Sequence, residues 1–104
     1  MLEEIKIKIN GIEYTVKKSY RALMLFEEMA GKNLDALKDS VSDLILLFYC
    51  ILKANNRDNF QYTFDEFIDV IDENPYSVEV FSNYLTEEAK KIDKSPTKKK
   101  QKNQ

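Results

Sequence analysis

The stretch Ile5-Lys6-Ile7-Lys8-Ile9-Asn10-Gly11-Ile12-Glu13-Tyr14-Thr15-Val16 decides how this chain of 104 residues begins and what the rest of it must supply. Ile5, Ile7 and Ile9 alternate with Lys6 and Lys8, the period-two pattern of a half-buried strand. Asn10-Gly11 comes next, the strongest short-range hairpin signal, because a type I′ turn needs φ > 0 at both central residues. Ile12, Tyr14 and Val16 then alternate with Glu13 and Thr15 on the return. The pattern predicts a β-hairpin over 3–17 with one apolar face. A lone hairpin is marginal in water, so that face must lie on something else.

Beyond the hairpin the chain reads as helical. Ser19 is placed to cap a helix over about 20–30, with Leu23, Phe26 and Leu25 inward and Gly31 ending it in a left-handed cap. Leu34 and Leu37 suggest a short helical turn in 33–38. Asp39, Ser40 and Ser42 offer N-caps for a long helix over 42–54 that stops at Asn55-Asn56. Thr63-Phe64-Asp65-Glu66 is a capping box, opening a helix over 64–73 with Phe64, Phe67, Ile68 and Ile71 on one face. Asn74-Pro75 stops it, and Pro75 suits the first turn of a last helix over 76–91, carrying Val78, Phe81, Leu85 and Ala89. A hairpin followed by helices makes an α+β domain, with the N-terminal β-hairpin packed on a small cluster of four to five α-helices. The expected division is a single globular domain over 1–93 and a disordered, Lys-rich tail over 94–104.

Composition and charge then narrow the function. The chain is 43% hydrophobic and 33% charged with two Gly and two Pro, which suits a compact helix-rich fold. It has no His and no Trp, and Cys50 is its only cysteine. A His general base, a His or Cys zinc site, a Ser-His-Asp triad and an intramolecular disulfide are therefore excluded within one chain. The net charge of −2 hides an asymmetry: residues 90–104 hold seven Lys against one Asp, while 1–89 carry −8. An acidic body repels nucleic acid, so only the tail could attract phosphates, and it lacks aromatic interleaving. Glu3, Glu4 and Lys6 interrupt the start before any apolar run forms, so no signal peptide is expected. The longest apolar run, Leu44 to Leu52, is nine residues, about half of the roughly 18 needed to span a bilayer, so no membrane association is expected either.

Three further patterns carry no chemistry. Counting back from Glu66 as the last residue of a calcium loop puts Arg57 at its third position and Phe60 where Gly is required, which breaks the geometry. The pairs Glu27-Glu28, Asp72-Glu73 and Glu87-Glu88 are adjacent on helices and diverge by about 100°, so they do not converge on a substrate. Cys50 lies inside the apolar helix, where a thiol behaves as a small inert hydrophobe. No enzymatic activity, metal or cofactor is expected.

The informative run is Leu44-Ile45-Leu46-Leu47-Phe48-Tyr49-Cys50-Ile51-Leu52, a helix hydrophobic on every side. Sealing it completely is demanding for a body of about 90 residues, in which roughly 60–65% of the chain surface is buried. Leu44, Leu47, Phe48 and Ile51, with the aromatics Tyr76 and Tyr84 of the last helix, are the candidate partner contacts, and core packing is the alternative for each.

In succession, Ile7–Tyr14, Tyr20–Leu34, Ser42–Ala54 and Tyr62–Asp72 make the chain resemble the tail assembly chaperones of long-tailed bacteriophages and prophages. The resemblance covers about residues 5–90; Asn55–Gln61 is more polar than the family pattern and the Lys-rich tail has no counterpart. It implies a non-enzymatic protein that binds the long helical tape measure protein, keeps it soluble and helps recruit tail tube subunits. It further implies residence in the host bacterial cytoplasm and absence from the mature virion. Many members are made in two forms through ribosomal frameshifting, and A-rich codons for Lys98–Lys100 would suit such a slip. Self-association is compatible with the role. The alternative from another class is a small regulator that touches nucleic acid through its Lys-rich tail.

Overall fold

Asn10 (φ 52°) and Gly11 (φ 80°) take the two left-handed positions of the hairpin turn, and Ile9 pairs directly with Ile12 across it. A computed structural model of the chain describes residues 3–31 and 40–93, with side chains of the last helix as far as Glu87. The helical turn expected in 33–38 and the tail 94–104 lie outside the described residues. Strands β1 (Ile5–Ile9) and β2 (Ile12–Val16) are antiparallel, and Ile7, Ile9, Tyr14 and Val16 turn inward to bury the predicted apolar face. Ile12, at the tip, stays half in water.

Four helices succeed the hairpin among the described residues: α1 (Tyr20–Ala30), α2 (Val41–Asn55), α3 (Phe64–Asp72) and α4 (Pro75–Asp93). Their ends obey local chemistry. Ser19 Oγ accepts from the Ala22 amide, and Gly31 (φ 73°) closes α1 with its N–H donating to the Glu27 carbonyl. Of the three cap candidates for α2, Ser40 is the one used, its hydroxyl accepting from the Asp43 amide at 3.0 Å. Both halves of the capping box form at α3: the Glu66 amide donates to Thr63 Oγ1 at 3.1 Å, and the Thr63 amide donates to Glu66 Oε1 at 2.9 Å. The fold is α+β, as the order of elements predicts.

Helix α2 is the axis of the core. Six consecutive residues, Leu47 to Leu52, are buried, which only a helix enclosed on all sides permits. The Phe48 ring stacks on Phe81 of α4 at 4.5 Å and meets Phe67 of α3 edge-on at 5.4 Å. Phe60, in the loop between α2 and α3, joins the layers by edge contacts at about 5.6 Å to Tyr14 and Tyr49 and 5.5 Å to Phe67. Such aromatic pairs contribute about 0.5–1.5 kcal/mol each beyond their area.

The hairpin is held by side chains as well as by its apolar face. Asn56 Oδ1 accepts from the Thr15 amide at 2.9 Å while its Nδ2 donates to the Thr15 carbonyl at 2.9 Å, so one amide side chain stands in for a neighbouring strand. Asn55 Nδ2 donates to the Lys17 carbonyl, and Asn74, at the α3–α4 corner, exchanges two bonds with Asn10 in the turn. The polar stretch beginning at Asn55 therefore has a structural role in docking the hairpin.

Candidate functional site

The apolar surface that the core leaves open is a groove at the N-terminal end of α2. Met29 and Ala30, the last residues of α1 before the Gly31 cap, form one wall. The first turns of α2 bring Val41, Ile45 and Leu46 to the second wall. Helix α3 supplies Phe64, Ile68 and Ile71, and the Asn74-Pro75 corner delivers Val78 of α4. These four elements enclose about 840 Å³ of open concavity. Its floor is half-buried, but Val41 at the rim is 76% exposed, Met29 43% and Ile68 38%. Apolar side chains of this size, clustered in one exposed patch, mark contact with another molecule.

The polar residues of the groove are Ser42, Asp43 and Asp72, and among the described residues no Lys or Arg lines it. The spacing on α3 puts Asp65 and Asp72 on the outer side of Ile68, with Asp69 next to them. A cation-flanked apolar segment therefore finds opposite charge at the edge of the groove.

A second, smaller concavity of about 550 Å³ lies between the first part of α1 and the end of α2. Its lining includes Met24, Leu25 and Ala54 with the cations Arg21, Lys53 and Arg57, and Glu28 as the one acid among the described residues. Among the described residues the ends thus differ in sign: acidic at the start of α2, basic at its finish.

The residues singled out from the sequence divide sharply. Leu47, Phe48 and Ile51 are sealed in the core, which corrects their assignment as partner contacts: helices α1, α3 and α4 and the hairpin suffice to surround the middle of α2. Tyr84 is corrected likewise. It is 6% exposed, and its hydroxyl donates to the Glu3 carbonyl at 2.8 Å and accepts from the Lys18 amide at 3.2 Å, pinning both ends of the hairpin. Leu44 is half-buried against the core and outside the groove lining. Tyr76 is 73% exposed in the first turn of α4, beside Pro75 of the groove. Sequence reasoning does not single out Val41, Met29 and Ile68. The signal for them is the surplus of apolar positions at the ends of α1 and α2 and on α3, where only Phe67 and Ile71 are buried.

Cys50 is buried, burial pushes its thiol up to about 12, and its Sγ lies 3.9 Å from Met29 Sδ. Burial, with a smaller contribution from Tyr62, raises the Tyr14 phenol. Among the described residues no group of three or more Asp, Glu or Cys is placed to hold a metal ion. Among them, too, no helix is long and apolar enough to cross a membrane. Compared with protein-family models, with curated proteins and with solved structures, the chain matches none.

Proposed function

We propose that this protein is a non-enzymatic assembly chaperone that holds the apolar face of a helical polypeptide in the groove between α1, α2, α3 and α4. One observation carries the reading: beside a core sealed around Leu47–Leu52, the same helix opens at Val41, Ile45 and Leu46 onto an exposed apolar groove. A groove of this kind takes an amphipathic helix through anchors spaced at i, i+3, i+4 and i+7. Combined with the resemblance, the client is the tape measure protein of a phage tail, kept soluble until tail tube subunits are recruited around it. The chain then acts in the host bacterial cytoplasm and is left out of the finished virion.

Co-expression with the helical tape measure protein of a phage tail tests this. The client is expected to stay soluble and co-purify with the chain, and Ile68→Lys or Val41→Asp to reduce recovery at least tenfold. Ile12→Lys, at an exposed position of the hairpin outside the groove lining, leaves recovery unchanged. Equal recovery with the groove variants refutes the assignment. Binding that instead follows nucleic acid, weakens steeply with salt and disappears on deleting 94–104 supports the regulator alternative.

A further inference from the structure

The two edges of the hairpin are finished differently. On β2, the N–H and C=O of Thr15 both bond to the Asn56 side chain, so they point away from β1. Thr15 faces Lys6 across the ladder. Facing residues of an antiparallel pair exchange both backbone bonds or neither, so Lys6 also turns its N–H and C=O outward. Lys8 does the same two residues on. Asn56 thus covers the β2 edge at Thr15, but the backbone groups of Lys6 and Lys8 have no bonding partner among the described residues. A strand edge with unpaired N–H and C=O groups is a template for another strand.

Two features beside that edge define what an added strand must carry. The first is a concavity of about 170 Å³ between β1 and α4, whose lining includes Ile5, Val80 and Tyr84. Ile5 and Val80 are only partly buried, whereas Ile7 and Ile9 further along β1 are sealed. An added strand turns every second side chain to the face of Ile5 and Ile7, so an apolar residue opposite Ile5 reaches this space. The second is charge. Lys6 and Lys8 stand exposed on the outer face. Lys6 is held by Thr15 Oγ1 at 2.8 Å and Glu4 at 3.3 Å, and Lys8 has no ion pair among the described residues. A second copy pairing edge to edge would set lysine against lysine, a common protection of strand edges against self-pairing. A strand with carboxylates at those positions meets opposite charge instead.

We propose that the open edge of β1 is a docking site for an extended, acidic segment of a different polypeptide, which adds to the hairpin as a third strand. Its backbone bonds to Lys6 and Lys8. Its apolar residues turn toward Ile5 and Val80, and the Asp or Glu residues between them lie opposite Lys6 and Lys8. Main-chain bonds give such a site its affinity, and the alternate side chains give it selection. The lining beside β1 shares no residue with the groove at the start of α2. A helical client and an extended partner are therefore held at separate places, and Ile68→Lys in the groove leaves strand addition intact.

A short capped peptide alternating Val and Glu, titrated into the isotope-labelled full chain and followed by amide NMR and hydrogen exchange, tests this. In the free chain the Lys6 and Lys8 amides are expected to exchange on the order of a hundredfold faster than those of Ile7 and Tyr14, which pair within the ladder. Saturating peptide is expected to shift the Lys6 and Lys8 amides and slow their exchange at least tenfold. Methylating the peptide's backbone nitrogens, or replacing its Glu by Lys, is expected to weaken binding at least tenfold. Lys8→Glu, at an exposed position where unchanged melting shows that the fold is kept, is expected to reverse the preference and favour the Lys-bearing peptide. Four results overturn the assignment: Lys6 and Lys8 amides already protected in the free, dilute chain; a peptide that leaves them unmoved or shifts Val41 and Ile68 instead; equal binding of the Glu and Lys peptides; or protection that rises with chain concentration alone, which places a second copy at the edge.

Discussion

Replacing Asn56 by Ala tests how the hairpin is attached. The Asn56 side chain accepts from the Thr15 amide at 2.9 Å and donates to the carbonyls of Thr15 and Leu52 at 2.9 and 3.0 Å. Thr15 is partly buried, and its backbone groups lie on the edge of β2 that no strand covers. Removing the amide leaves one N–H and one carbonyl there without their partner. Each net bond contributes about 1 kcal/mol, and stranding a partly buried group adds to that, so the expected cost is about 2–3 kcal/mol. Against a total stability of about 5–10 kcal/mol for a domain of this size, that is a large fraction. The melting midpoint should fall by roughly 8–20 °C.

Urea unfolding with an unchanged slope measures the loss, and hydrogen exchange locates it. The Thr15 amide should lose protection on the order of a hundredfold. Asn56→Asp at neutral pH is expected to cost at least as much as Ala. It keeps the acceptor for the Thr15 amide but sets a carboxylate oxygen against the two carbonyls that Nδ2 now serves. A loss below about 0.5 kcal/mol for Ala, or full protection at Thr15, refutes the claim that Asn56 acts as a surrogate strand.

Other perturbations probe the core and the caps. Phe48→Ala removes the ring stacked on Phe81 and is expected to cost about 3–5 kcal/mol, read by urea denaturation. Thr63→Ala breaks the capping box of α3 at a cost of about 1 kcal/mol, and Thr63→Ser should restore most of it. Cys50 should react with a thiol reagent only as fast as the protein opens, since burial holds its thiol up at about 12. The same shift has a sign. The unfolded chain releases this proton first, so stability is fully present below about pH 9 and declines as pH rises toward the folded value. Stability curves of wild type and Cys50→Ala should therefore diverge above about pH 9, the variant showing the shallower decline.

The elements are legible in the sequence wherever a rule of local geometry acts. Asn10-Gly11 demands two left-handed positions, Thr63 and Glu66 match each other three residues apart, and Gly31 supplies the left-handed cap of α1. The asparagines are legible only as a stop signal, because the partners of Asn56 and Asn74 lie 41 and 64 residues away and no local pattern names them. The groove is hidden for a related reason. Periodicity assigns Phe64, Phe67, Ile68 and Ile71 to one face of α3 but says nothing of how wide a neighbour covers that face. Here cover extends over Phe67 and Ile71 and stops short of Ile68. The same limit hides where α2 is exposed: the apolar run from Leu44 to Leu52 is half-buried at its beginning, where α1 ends, and fully enclosed in its middle.

That position of the opening explains how the domain tolerates it. The aromatic contacts linking Phe48, Phe60, Phe67 and Phe81 are made by side chains sealed around the middle of α2, and the hairpin is fixed by Asn55, Asn56, Asn74 and Tyr84. None of those eight residues lines the groove. Substitutions at Val41 or Ile68 should thus change binding with little change in stability, whereas Phe48 and Asn56 should change stability with binding following only as the folded fraction falls. The acidic edge adds a second separation. Carboxylates on α3 discourage groove-to-groove association of an acidic body while favouring a segment that brings cations beside its apolar anchors. Under the proposed function, apolar area would draw a partner in, and charge would decide which apolar segments are admitted and in which orientation.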